Sequence, residues 1–209
     1  MPDKTLDVLL RYYRDQVVGD VALAYSVAEK IPPSILNEIR NALGHMARLP
    51  DLEPGSDEFL GQWRAAEGHL LRVRLDCAKL CLIAESEKLD EDLEILTLNT
   101  TVPASLLDRA EAIRQRRRDL QQREAGPPTD DLVDQFLDLF AECDAFRRYL
   151  RAEYSDLVVE GWRLKREADM NAADTAGYRR GRRDTFWAAA TLGLATSIGA
   201  GLLLGLIGF

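Results

Sequence analysis

Residues 59–84 read FLGQWRAAEGHLLRVRLDCAKLCLIA, and their phase decides the fold. Phe59, Trp63, Ala66, Leu70, Val73, Cys77, Leu80 and Ala84 alternate spacings of four and three, the seam of a helix packed in a bundle or coiled coil. Ser56 precedes the run as an N-cap, and Asp57 and Glu58 sit at the positive end of the helix dipole. The pattern predicts one long helix that reaches Leu98 before Thr100, Thr101 and Pro103.

The flanking sequence carries the same signature. Over 5–29, Leu6, Leu10, Tyr13, Val17, Val21, Ala24 and Ala28 fall on one side of a helix that Pro32 and Pro33 terminate. Pro33 suits the first turn of a second helix, whose stripe is Ile35, Ile39, Ala42, Met46 and Leu49. Residues 50–55 (PDLEPG) form the turn into the long helix. A fourth helix over 103–124 is rich in arginine (Arg109, Arg114, Arg116, Arg117, Arg118, Arg123). Glu111, Asp119 and Glu124 are interleaved with these, as on a solvated face. Gly126-Pro127-Pro128 breaks the chain again, and Thr129 caps a fifth helix with Asp130 and Asp131 in its first turn. Its seam is Leu132, Phe136, Leu139, Cys143, Phe146, Leu150, Leu157, Gly161 and Leu164, continuing toward Met170. Strand signals are nearly absent, so the expected fold is all-α, an antiparallel helical bundle over 1–170.

Charge divides the chain sharply. Among 209 residues there are 27 Lys+Arg and 35 Asp+Glu, a net charge of −8, and every one of them lies within 1–184. The mean hydropathy of −0.21 therefore describes neither the charged body nor the uncharged end. Residues 186–209 contain no charge, Pro, Asn or Gln. As a helix they would reach about 36 Å, enough for a hydrocarbon core of about 30 Å. A transmembrane helix over 185–209 is expected, after a basic juxtamembrane linker over 171–184. Arg179, Arg180, Arg182 and Arg183 of that linker would face lipid head groups and hold the body on the cytoplasmic side. No apolar leader precedes the body, so the topology reads as a single-pass tail anchor in the inner membrane. Three cysteines, an odd number, suit a reducing compartment. Within the span Ala189, Gly193, Ser197, Gly201 and Gly205 recur every four residues, a face that lets helices pack closely in lipid and predicts a homo-oligomer.

The two histidines lie in similar decamers. Residues 40–49 read RNALGHMARL and residues 64–73 read RAAEGHLLRV. Each histidine follows an arginine by five positions, follows a glycine directly, and precedes an arginine by three. One Arg-x4-His is expected by accident about 0.2 times in this composition, and requiring Asn after the Arg lowers that below about 1%. Arg40-Asn41-x3-His45 is therefore the informative copy; Arg64 and His69 form the weaker one. Asn37, Asn41, His45 and Arg48 make a polar stripe beside the apolar seam, so His45 is not a core residue by phase. His69 reads as a polar residue bonding between helices. A simple hairpin would offset the two histidines by nine residues, about 13 Å, so no shared site is expected within one chain. Cys77 and Cys81 lie one turn apart, but no second ligand pair accompanies them, so no metal or other cofactor is expected.

On Arg40, Asn41 and His45 the chain resembles the HEPN superfamily, all-α bundles marked by Arg-Asn/Asp/His-x3-His within one helix. The resemblance implies RNA cleavage without metal, usually across a dimer interface. It also implies that His45 exchanges a proton with the 2′-hydroxyl or the leaving oxygen, that Arg40 holds the phosphate, and that Asn41 orients the imidazole.

Three functions follow as expectations. The first is a self-associating defence or stress effector that assembles in, and permeabilises, the membrane, with a defence-system protein as partner. The second is a membrane-tethered HEPN-type ribonuclease acting on RNA. The third is a non-enzymatic tail-anchored adaptor. Net acidity opposes RNA and leans toward the first.

Overall fold

A computed structural model describes residues 4–99, 102–124, 126–168 and 170, and the described elements are all helical. They run α1 (Leu6–Tyr12), a π-helical turn (Tyr13–Val17), α2 (Val18–Ala28), α3 (Pro33–Met46), a 3-10 turn (Leu49–Asp51), α4 (Asp57–Asn99), α5 (Ala104–Arg123) and α6 (Asp130–Glu153). The chain divides into two compact units, Met1–Val158 and Val159–Phe209, and all six helices belong to the first.

The long helix is the spine. At about 1.5 Å per residue the 43 residues of α4 extend roughly 65 Å. α1 and α3 pack on its N-terminal half, α2 reaches along it to Lys88, and α6 follows it from Arg74 to Asp92. Paired residues fix the directions. Thr5 accepts from Trp63 Nε1 and Val27 accepts from Lys88 Nζ, so the first helices run parallel to α4. Gln62 meets His45 and His69 meets Glu38, so α3 runs antiparallel. Arg114 meets Asp90 and Glu124 meets Lys79, which makes α5 antiparallel as well. Arg74 meets Asp130 and Asp92 meets Arg151, which returns α6 to the direction of α4. Successive helices thus alternate, and the bundle is antiparallel along the chain.

The seams fall where apolar spacing puts them, with one systematic exception. Ile35, Ala42, Met46 and Leu49 are buried on the α3 side, and Phe59, Trp63, Ala66, Leu70, Val73 and Cys77 on α4. From Val73 onward α4 is buried on more than one face, because α2 and α6 flank it together. In the first helix Leu9, not Leu10, enters the core, and Leu10 is 47% exposed. The π turn explains the correction: one extra residue per turn between Tyr13 and Val17 shifts the phase upstream of it. α3 ends at Met46 and passes into the 3-10 turn, so Leu49 is buried from outside the helix. α6 stops at Glu153, where Tyr154 leaves the helical region (φ −121°, ψ 27°), and helix resumes over 155–168. The seam expected to continue there does not hold at Leu164, which is 45% exposed.

Two clusters of buried charge tie the layers together. Arg74, with 7% of its side chain exposed, donates to Asp20 at 2.7 Å, to Asp130 at 2.5 Å and to the Tyr12 hydroxyl at 3.3 Å. Burial opposes the Arg74 charge, but the bonds to Tyr12 and Asp20 outweigh it and hold the guanidinium protonated. Further along α4, the fully buried Asp92 accepts from Arg147 and Arg151, and Glu85 accepts from Arg147 at 2.7 Å.

No helix among the described residues is long and apolar enough to cross a membrane. The span expected over 185–209 lies outside the described residues, as do its Ala189, Gly193, Ser197, Gly201 and Gly205 stripe and the linker 171–184 with Arg179, Arg180, Arg182 and Arg183.

Candidate functional site

α3 and α4 form a helical hairpin, and the two decamers face each other across it. Each histidine has a polar residue seven positions earlier on its own helix, Glu38 before His45 and Gln62 before His69. Seven residues are nearly two turns, so each pair shares one face. The antiparallel register crosses the pairs over. His45 Nδ1 lies 2.7 Å from Gln62 Oε1, and His69 Nδ1 lies 2.5 Å from Glu38 Oε2.

The imidazoles stack. Their centroids are 5.3 Å apart and their planes differ by 14°. The offset expected from the sequence is therefore corrected: both histidines belong to one site within one chain. Two physical effects close the gap. The observed register leaves seven residues, about 10 Å, between their levels on the hairpin axis. Every Cα–Cβ bond also tilts toward its own helix N-terminus, and in an antiparallel pair those tilts point at each other. His69 does bond between helices, as expected, but it does so beside the second ring.

The bonds at Nδ1 fix what Nε2 offers. An amide carbonyl and a carboxylate only accept, so both Nδ1 atoms carry hydrogen. A neutral ring then has its lone pair on Nε2, ready to take a proton, and a charged ring has a proton there to give. His69 and Glu38 expose 28% and 29% of their side chains, so the pair borders solvent rather than lying in the core. One metal ion is poorly served by these rings as placed. A ligand nitrogen points in its ring plane, and planes only 14° apart do not converge near both nitrogens. Among the described residues no group of three His, Cys, Asp or Glu is arranged to hold a metal. Cys77 and Cys81 are wholly buried in the core cluster, which is a packing role.

Four arginines surround this hairpin: Arg40 and Arg48 in the first decamer, Arg64 and Arg72 in the second. Their side chains form no hydrogen bond or ion pair with any other described residue, whereas Arg74, Arg114, Arg116, Arg118, Arg147 and Arg151 all meet carboxylates. Arg40 and Arg64, the motif arginines, are exposed and lie about 140° round their helices from the histidines. Arg48 and Arg72 follow their histidines by three and lie within about 60°. Asn41 is exposed, about 40° from His45, and forms no side-chain hydrogen bond with another described residue. His45 is thus tied by Gln62 rather than by Asn41. Glu38, Gln62 and Arg72 are the members that motif reasoning passes over. The acceptor seven residues before each histidine is the sequence signal that points to two of them.

The chain has no match among protein-family models, curated proteins or solved structures. The site is therefore interpreted from its own geometry.

Proposed function

We propose that the helical body is an RNA phosphodiesterase, with the histidine pair as its proton-transfer site and the apolar 186–209 segment as its membrane anchor. One observation carries this reading: two solvent-bordering imidazoles stacked at 5.3 Å, each with Nδ1 engaged and Nε2 left over. Cleavage of an RNA linkage by its own 2′-hydroxyl needs one group to take a proton and another to give one, and no metal. Arg48 and Arg72, which lie within about 60° of their histidines and meet no carboxylate among the described residues, supply the second requirement, cations for the phosphate, and they offset the acidic average charge locally. The resemblance of Arg40-Asn41-x3-His45 to the HEPN motif points the same way, although Arg40 does not share the face of His45.

The full-length protein in detergent should cut single-stranded RNA in the presence of EDTA. His45→Ala should lower the rate by about 100-fold or more while leaving the helical spectrum unchanged. Undiminished cleavage in that variant would remove His45 from the mechanism. The small-residue stripe over 189–205 favours a second reading, an assembly in the bilayer. A large particle that leaks liposomes and leaves RNA intact would support that reading and reject the nuclease.

A further inference from the structure

The two halves of the site are related by a local twofold. Decamer 40–49 on α3 and decamer 64–73 on α4 run antiparallel, each with an acceptor seven residues before its histidine and an arginine three after it. The stacked rings lie across that axis. Among the groups bonded to the rings the symmetry fails at one: the acceptor on His69 is a carboxylate, and the acceptor on His45 is a neutral amide.

We propose that this single difference gives the site a direction, with His69 the general acid, His45 the general base, and Glu38 and Gln62 the residues that position them. The assignment rests on the phosphodiesterase reading and deepens it. Positive charge on both imidazoles stacked at 5.3 Å would be repulsive, and charge on one of them is best placed beside an anion. Glu38 lies 2.5 Å from His69 Nδ1, and nothing of opposite charge is bonded to His45. In the proposed reaction Nε2 of His69 carries the proton to be given and Nε2 of His45 the lone pair that takes one.

The reaction then balances. His45 Nε2 removes the proton from the 2′-hydroxyl, whose oxygen forms a bond to phosphorus. The bond from phosphorus to the 5′-oxygen breaks, and the departing electron pair takes the proton from His69 Nε2. The products are a 2′,3′-cyclic phosphate and a 5′-hydroxyl, with His45 now charged and His69 neutral. Proton exchange with solvent restores the starting state. The substrate class is single-stranded RNA with a free 2′-hydroxyl, because only an unpaired strand can bring that hydroxyl, the phosphorus and the leaving oxygen into line over two adjacent rings.

A change of leaving group separates the two roles. The full-length protein in detergent is assayed on a diribonucleotide, whose 5′-alkoxide needs a proton, and on uridine 3′-(4-nitrophenyl phosphate), whose nitrophenolate leaves without one. His69→Gln should lower cleavage of the diribonucleotide by about 100-fold and of the aryl ester by less than about threefold. Glu38→Gln, which keeps a hydrogen bond to the ring, should show the same split at about tenfold. His45→Gln should lower both to a similar extent. Equal losses on the two substrates in the His69 and Glu38 variants would overturn the assignment while leaving the nuclease intact. A wild-type protein that cleaves neither substrate would overturn both readings together. Because Glu38→Gln preserves the shape of the site, its leaving-group split reports chemistry rather than folding.

Discussion

Cys77, Cys81 and Cys143 have no exposed surface, and burial pushes their thiols up to about 12, 11 and 11 respectively. A folded-state pKa above the unfolded value of 9.0 stabilises the fold below pH 9, and that stabilisation is lost as pH rises toward 11–12. Each pH unit in that window costs about 1.4 kcal/mol per thiol. Denaturant unfolding should therefore show a midpoint that falls progressively between pH 9 and pH 11. The loss should be smaller in a Cys77→Ala, Cys81→Ala, Cys143→Ala variant. At pH 8 a thiol reagent should label the native protein only as fast as it opens. The same scale shows what the sequence tells about the site. His45 is legible because Asn41 makes its motif rare and because its phase falls outside the apolar seam. The second ring is not legible, since counting residues measures separation along an axis, whereas contact depends on the lean of side chains. Glu38 and Gln62 escape motif reasoning for a related reason: each serves the histidine of the other helix.

Helix α4 is legible almost to the residue, since its seam alternates four and three without a break and Ser56 marks its start. The first helix is less so. Both Leu9 and Leu10 are apolar, and only the π turn decides which one is buried. The end of α6 is also invisible in the spacing, because Tyr154 has no breaker signature. The hairpin of α3 and α4 has a further peculiarity. Gly44, in the last turn of α3, and Gly68, inside α4, directly precede the histidines, and a Cβ at either would meet nothing within 4 Å. Glycine there costs each helix about 1 kcal/mol relative to alanine, with no packing reason on this chain. Gly44→Ala should therefore raise the unfolding free energy by about 1 kcal/mol, as read from denaturant melts. If the open surface beside His45 receives RNA, the same variant should raise KM more than it lowers kcat.

Across the whole molecule, α4 serves two sets of partners along one continuous cylinder. Residues up to Arg74 are held by α1–α3 and Asp130, and those from Lys79 onward by α5 and α6, with α2 reaching as far as Lys88. One residue inserted between Ala78 and Lys79 would turn one half about 100° against the other. Either the Arg74 cluster or the Asp92 cluster would then lose its partners, at about 3–5 kcal/mol for a buried charge left unpaired. Denaturant unfolding of that insertion should show a loss of this size. One glycine inserted between Glu53 and Pro54, in the connection before α4, should change stability by less than about 0.5 kcal/mol. Equal tolerance of the two insertions would contradict the shared spine.

The Arg74 cluster also sets an order in time. Its Tyr12–Asp130 bond joins residues 118 apart, while the bonds of the histidine hairpin span only 17 and 31. Short loops close with less entropy lost, so the hairpin has what it needs as soon as its own two helices exist. The clasp at Arg74 must await the start of α6. A ribosome making this chain thus releases the histidine hairpin first and the fastening afterwards, so Arg74 governs how long the finished body lasts rather than how quickly it forms.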